Sequence, residues 1–173
     1  MARAVDLIDA RLRGLLAGTY TSGGRHVTGA TFTEAKPVSS SSSPEWQDVP
    51  ADRLWDLVWG DAGTEDGQPV NSFQGPHVMT ATATLRVQYA LDRTGAFEPP
   101  PGGLGLPSAP SKKAAADAEA LHYIFSHSPV WSGVAIGCTV GRATTQAQGL
   151  RLVMSLPLLF RFTVSAATAP GWG

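Results

Sequence analysis

A chain of 173 residues with 16% charged side chains and a formal net charge of -1 carries neither the basic face that binds nucleic acid nor an acidic repelling tail. That length suits one domain, able to withdraw about two thirds of its surface from water. A single cysteine, Cys138, rules out an internal disulfide, and its apolar neighbours predict a small buried hydrophobe in a reducing compartment.

The N-terminal stretch MARAVDLIDARLRGLLAG interrupts its apolar residues with Asp6, Asp9, Arg11 and Arg13, which reads as a helix rather than a signal peptide. Val5, Ile8, Leu12, Leu15 and Leu16 recur at helical spacing and Gly18 supplies a stop, predicting a helix from Ala4 to Ala17. No apolar run approaches the roughly 18 residues of a membrane span, so a soluble, intracellularly made protein is expected. Rising β-branched and aromatic content predicts a strand around Val27 to Glu34, followed by a flexible loop over 36–50 that contains the serine run Ser39 to Ser43.

DRLWDLVWG, Asp52 to Gly60, reads as a strand with Trp55, Leu57 and Trp59 on one face and Leu54, Asp56 and Val58 on the other. GDAGTEDGQPVNSFQGP after it reads as turn chemistry throughout. Then HVMTATATLRVQYAL, His77 to Leu91, alternates strictly: Met79, Ala81, Ala83, Leu85, Val87, Tyr89 and Leu91 point one way, Thr80, Thr82, Thr84, Arg86 and Gln88 the other. At about 3.3 Å per residue such a strand reaches on the order of 40 Å, roughly twice the usual length. Its Thr/Ala half has small side chains that bury little. That half is therefore expected to extend beyond the core built on Leu85, Val87, Tyr89 and Leu91 and to pair or pack against a neighbour.

The proline- and glycine-dense segment 98–111 supports no regular element and predicts a long crossing loop. Ser111 is placed as an N-cap for a helix from Lys112 to Ser126, with Ala115, Ala118, Leu121, Tyr123, Ile124 and Phe125 on its apolar face and Pro129 beyond its end. A closing hairpin follows. Val134, Ile136, Cys138 and Val140 alternate, RATTQAQG reads as a turn, and Leu152 to Val164 form a second long strand in which Pro157 signals a bulge or an edge. Gly133, Gly137 and Gly141 form a side-chain-free strip that admits a close neighbour, and residues 166–173 read as an arm. The order of elements predicts an α+β fold: one domain over 1–173, with a mainly antiparallel sheet of long strands packed on one face by two helices.

No catalytic pattern emerges. His122 and His127 are five apart, about 140° on a helix, and neither they nor His26 and His77 fall into metal-ligand spacing. Gly-x-Ser-x-Gly is missing. GGLGLPS lacks the Lys-Ser/Thr ending of a phosphate loop. Asp61, Glu65 and Asp66 lack the spacing of a calcium loop and read as solvated charges. The expectation is no enzyme, no metal and no cofactor, with function residing in contact. One different class remains open, a small-ligand-binding α+β domain with a pocket of Trp55, Trp59, Tyr123 and Phe125.

From end to end, the N-terminal helix, the early strand DRLWDLVWG, the long strand HVMTATATLRVQYAL, the Pro/Gly loop, the helix KKAAADAEALHYIF and the closing hairpin ending LRLVMSLPLLFRFTVS resemble the tail terminator proteins of long-tailed bacteriophages and related particles. This resemblance is of architecture rather than of a diagnostic motif. It implies a virion subunit, made in the host cytoplasm, that forms a homo-oligomeric ring of six on the last ring of the tail tube protein. The ring stops polymerisation and presents a docking surface to the head-side connector or stopper protein, while DNA passes through without sequence-specific binding and no membrane is involved. On that basis Thr80, Ala81, Thr82, Ala83, Thr84 and Pro157 are candidate subunit contacts. Ser39, Ser41, Ser43, Trp46, Pro100, Leu104 and Leu106 are candidate loop contacts, and Asp61, Glu65 and Asp66 are candidates to face the lumen. Another neck, tube or baseplate protein is the alternative within the same class.

Overall fold

The computed structural model describes residues 4–17, 32–34, 53–65, 77–90, 109–148 and 151–164. In chain order these form α1 (Ala4–Leu16), β1 (Thr33–Glu34), β2 (Leu54–Thr64), β3 (His77–Ala90), α2 (Ala109–Phe125), a single 3₁₀ turn (Ser128–Trp131), β4 (Gly137–Val140), β5 (Thr144–Gln148) and β6 (Arg151–Val164). The six strands make one sheet in the order β1-β2-β3-β6-β4, with β5 also paired to β6. Only the β1–β2 pairing is parallel. This is an α+β fold with both helices packed against the sheet. The loops 36–50 and 98–108, Asp66, residues 27–31 of the expected early strand and the arm 166–173 lie outside the described residues.

The centre of the sheet is the β3–β6 ladder, unbroken from His77 opposite Val164 to Ala90 opposite Arg151. Alternation on both strands makes this register the one that puts most large apolar side chains on one face, with Val78, Val153 and Leu159 on the other, because a slip of one residue would reverse that division. Leu85, Val87 and Tyr89 from β3 and Met154, Leu156, Leu158, Phe160 and Phe162 from β6 are buried there. Against them lie Ile8, Leu12, Leu15 and Leu16 of α1, at the spacing seen in the sequence, and Ala114, Leu121, Ile124 and Phe125 of α2. Each fully buried large apolar side chain stabilises the fold by about 1.5–3 kcal/mol relative to an exposed one.

Several sequence expectations are corrected. Ala81 and Ala83 are 2% and 3% exposed and belong to the core of the subunit itself. β3 is paired to β6 along its whole length and to β2 from Met79 to Gln88. The Thr/Ala half therefore has no free backbone edge with which to pair a neighbour: Ala81 and Ala83 lie between Trp59 of β2 and Phe160 of β6, whose ring centroids are 5.8 Å apart, instead of marking an extension. Thr80, Thr82 and Thr84 lie on the opposite face of the sheet, against which neither described helix packs. Thr80 donates to the Gly63 carbonyl (3.4 Å) and Thr82 to that of Asp61 (3.2 Å).

β2 does not stop at Gly60 but runs to Thr64. Its register against β3 shifts between Trp59 and Ala62, so that Gly60 and Asp61 together oppose Thr82. This bulge turns Ala62 and Thr64 to the core face and explains why a strand survives turn-like composition. A Cβ on Gly60 would lie 2.5 Å from the Thr82 hydroxyl oxygen, so the bulge needs glycine there.

The closing hairpin also differs. Val134 and Ile136 precede the strand, Thr144–Gln148 form β5 rather than a turn, and only two residues separate β5 from β6. Pro157 is interior to the sheet, between Thr84 of β3 and the break where β4 gives way to β5, and its carbonyl accepts from the Gly141 amide at 2.8 Å. The pairing to β6 shifts by one residue across that break, with residues 141–143 opposite Leu156 and Pro157, so the extra residue lies on the facing chain; β6 itself runs without a bulge at Pro157, and the position is not an edge. The three glycines do not form a strip: Gly133 is needed for its φ of +78°, Gly141 packs on Pro157, and a Cβ at Gly137 would meet nothing. α2 starts at Ala109, with Pro110 in its first turn where its missing N–H costs nothing, instead of after an N-cap at Ser111.

Candidate assembly surface

Two outer edges bound the sheet. On one side β1 covers β2 at Leu54 and Trp55, the only pairing on that side among the described residues. On the other, β4 and β5 lie end to end along β6 and have no further strand beside them among the described residues. All five residues of β5, TTQAQ, are exposed. Beside that edge an open groove of about 1060 Å³ runs between α2 and the β4–β5 junction. Ala115, Ala118, Glu119 and His122 line its helix wall, Arg142, Ala143 and Thr145 its strand wall, and Met154 and Leu156 its floor. Tyr123, expected on the buried face of α2, instead stands at this groove 71% exposed, stacked on His127.

At the β2 side α1 is tied down by polar contacts. Trp59 Nε1–H donates to Asp9 at 3.1 Å, and Arg13 pairs with Asp9 at 2.6 Å and with Glu34 while lying over the Trp55 ring. Exposed pairs of this kind are worth at most about 1 kcal/mol each.

A second node is buried. Asp117 of α2, 7% exposed, accepts from both Nε (2.6 Å) and an Nη (2.9 Å) of Arg53 and from the Tyr89 hydroxyl (2.9 Å). Arg53 reaches it from a backbone with φ of +56° at the head of β2, while its carbonyl accepts from the Thr33 amide and its guanidinium lies over Phe32. One carboxylate therefore ties α2 to the start of β2 and, through Tyr89, to β3.

The face opposite the two described helices is polar but not uniformly open. Gln88 is fully buried there, with neither amide atom hydrogen-bonded, and Val153 beside it is 5% exposed. Asp56 and Arg86 form a cross-strand pair, Nε to Oδ1 at 2.8 Å, and the bond to Asp56 raises the guanidinium pKa above its ordinary value. Of the acidic residues singled out, Asp61 sits exposed in the β2 bulge. Glu65 follows the end of β2 and pairs with Arg161 across the sheet at 2.7 Å, so it is not an isolated charge. Ser39, Ser41, Ser43, Trp46, Asp66, Pro100, Leu104 and Leu106 lie outside the described residues.

The four aromatics of the ligand-pocket alternative are not brought together. Trp55 is buried under α1, Trp59 packs on Phe160, Phe125 packs on Trp131, and Tyr123 alone faces the groove. No group of three or more His, Cys, Asp or Glu side chains is placed to hold a metal among the described residues. No described helix is long and apolar enough to cross a membrane.

Cys138 is buried in β4, and its burial pushes the thiol pKa up from 9.0 to about 12 against a smaller opposing effect from the Leu159 backbone. The thiolate is the reactive form. At pH 8 a thiol reagent is therefore expected to label the native protein at least about a hundredfold more slowly than the urea-unfolded chain. The unfolded thiol ionises first, so stability attributable to this group is complete below pH 9.0 and declines as pH rises toward about 12. Equal labelling rates in both states would show the thiol to be accessible.

Sequence reasoning missed two of these features. Asp117 falls in phase with Ala114, Leu121 and Ile124, and an acidic residue within an apolar helical stripe is a signal for a buried partner. β5 was hidden because Thr, Gln and Gly have turn composition. No protein-family model matches the chain, and no curated protein sequence matches it.

Proposed function

We propose that this chain is a structural subunit that closes with copies of itself into a ring, of six by its resemblance to tail terminators, at the head-proximal end of a phage tail tube. There it ends tube polymerisation and offers a docking surface to the head-side connector. Its work is mechanical, and DNA passes through the ring without being read. The observation that carries the reading is one sheet whose outer edges, β2 beyond Trp55 on one side and β5 on the other, have no strand beside them among the described residues. An unguarded edge is costly unless another chain uses it, and head-to-tail contacts around an axis close into rings.

Light scattering on the purified protein tests the ring directly. A species of six times the 18.1 kDa subunit mass is expected, alone or on addition of tail tubes. Deleting the gene is expected to give tails of uncontrolled length without heads. Tails of normal length beside leaking heads would assign the ring to the connector instead. A monomer under all conditions, with or without tubes, would overturn the ring.

A further inference from the structure

We propose that β5 of one copy pairs antiparallel with the outer edge of β2 of the next, so that subunits join head to tail by continuing the sheet. This rests on the ring reading for the identity of the partner and goes beyond it in naming the edges and their register. Among the described residues β5 carries neither the charge nor the proline that guards many natural edge strands, and all five of its side chains are exposed. Across the subunit, β2 from Leu57 to Ala62 has no strand on its outer side among the described residues, and Val58 is 45% exposed. The two edges are compatible in direction. β2, β3, β6 and β5 alternate, so β5 runs opposite to β2, and a neighbour related by rotation about an axis presents its β2 antiparallel to β5.

Side-chain alternation restricts the register, because residues facing the helices must meet residues that also face the helices. On β5 these are Thr145 and Ala147, opposite Met154 and Leu152; on β2 they are Leu57 and Trp59, opposite Leu85 and Ala83. Placing Trp59 across from Thr145 and Leu57 across from Ala147 satisfies this and sets Val58 across from Gln146 on the other face. The same register brings together the two irregular points, the Gly60–Asp61 bulge and the break after Val140, where exposed Asp61 and exposed Arg142 carry opposite charges. A second copy is the partner favoured because one chain supplies both complementary edges. The groove beside β5 then lies along the subunit boundary.

Engineered disulfides test the register. Val58→Cys and Gln146→Cys in one chain are separated by three strand spacings, about 14 Å, too far to bridge within a subunit. Cys138 stays in place, being buried. Mild oxidation of the double variant is expected to give a ladder of covalent multimers that ends at the ring size, while each single variant gives none and an equimolar mixture of the two gives dimers only. A dimer from Gln146→Cys alone would show symmetric β5–β5 pairing and overturn the proposal. An oligomer of the expected mass that fails to cross-link would overturn these edges while leaving the ring standing. A ladder without a terminal size would support the edges and sink the ring.

Discussion

Replacing Trp131 with alanine is expected to lower the unfolding free energy by about 3–5 kcal/mol, read as a shift of the urea midpoint at unchanged slope. The side chain is fully buried, its ring meets Phe160 edge-on at 5.0 Å and Phe125 at 6.1 Å, and its Nε1–H donates to the Phe125 carbonyl at 2.7 Å. That carbonyl belongs to the last residue of α2. The indole thus caps a helix end and fills the space between helix and sheet at once. Truncation leaves both a cavity and an orphaned acceptor. Trp131→Phe refills most of the volume but not the bond, and should recover all but about 1–2 kcal/mol. A loss below about 1 kcal/mol for the alanine variant would show that the 3₁₀ turn collapses into the gap.

Asp117→Ala is expected to cost about 3 kcal/mol, at the lower end for a buried pair because the Arg53 side chain keeps 23% of its exposure against 8% for Asp117. Much of that loss is the cost of leaving the Arg53 guanidinium without its carboxylate, rather than the worth of the pair itself. Tyr89→Phe removes the hydroxyl's bond to Asp117 and should cost about 1 kcal/mol. A double-mutant cycle between Arg53→Ala and Asp117→Ala measures the coupling, and full additivity would show that the contact contributes nothing to stability. Because Asp117 joins α2 to β2 and β3, its loss should also raise amide exchange in both segments ahead of global unfolding.

Much of the fold was legible in the sequence. Ile8, Leu12, Leu15 and Leu16 specify the buried stripe of α1 by spacing alone, and the alternation in HVMTATATLRVQYAL and LRLVMSLPLLFRFTVS specifies two long strands whose register follows from keeping apolar side chains on one side. These are local patterns, and a periodicity that matches an element is already most of the physics of that element. The errors came where composition and context disagree. Ala81 and Ala83 bury little area and looked dispensable to the core, yet they are enclosed because Trp59 and Phe160 on the flanking strands meet at 5.8 Å on the same face. TTQAQ looked like a turn and is a strand because β6 beside it offers a row of backbone partners that no local preference outweighs.

The candidate site was less legible than the fold. Which strands end up outermost depends on topology: β6, last in the chain, inserts between β3 and β4, and among the described residues this leaves the short β1 beside β2 at one side of the sheet and β4 with β5 at the other. Nothing in the composition of β2 or β5 announces that outcome. By itself, then, the sequence determined the class, the two long strands, the faces of α1 and the absence of a strongly charged surface, because those follow from residue period and net charge. Only the tertiary structure decided that Asp117 holds Arg53, that the Thr/Ala half of β3 is core, and that an uncharged edge faces outward on one side of the sheet. Those depend on which distant segments meet, and pairing partners many residues apart are selected by the packing of the whole chain.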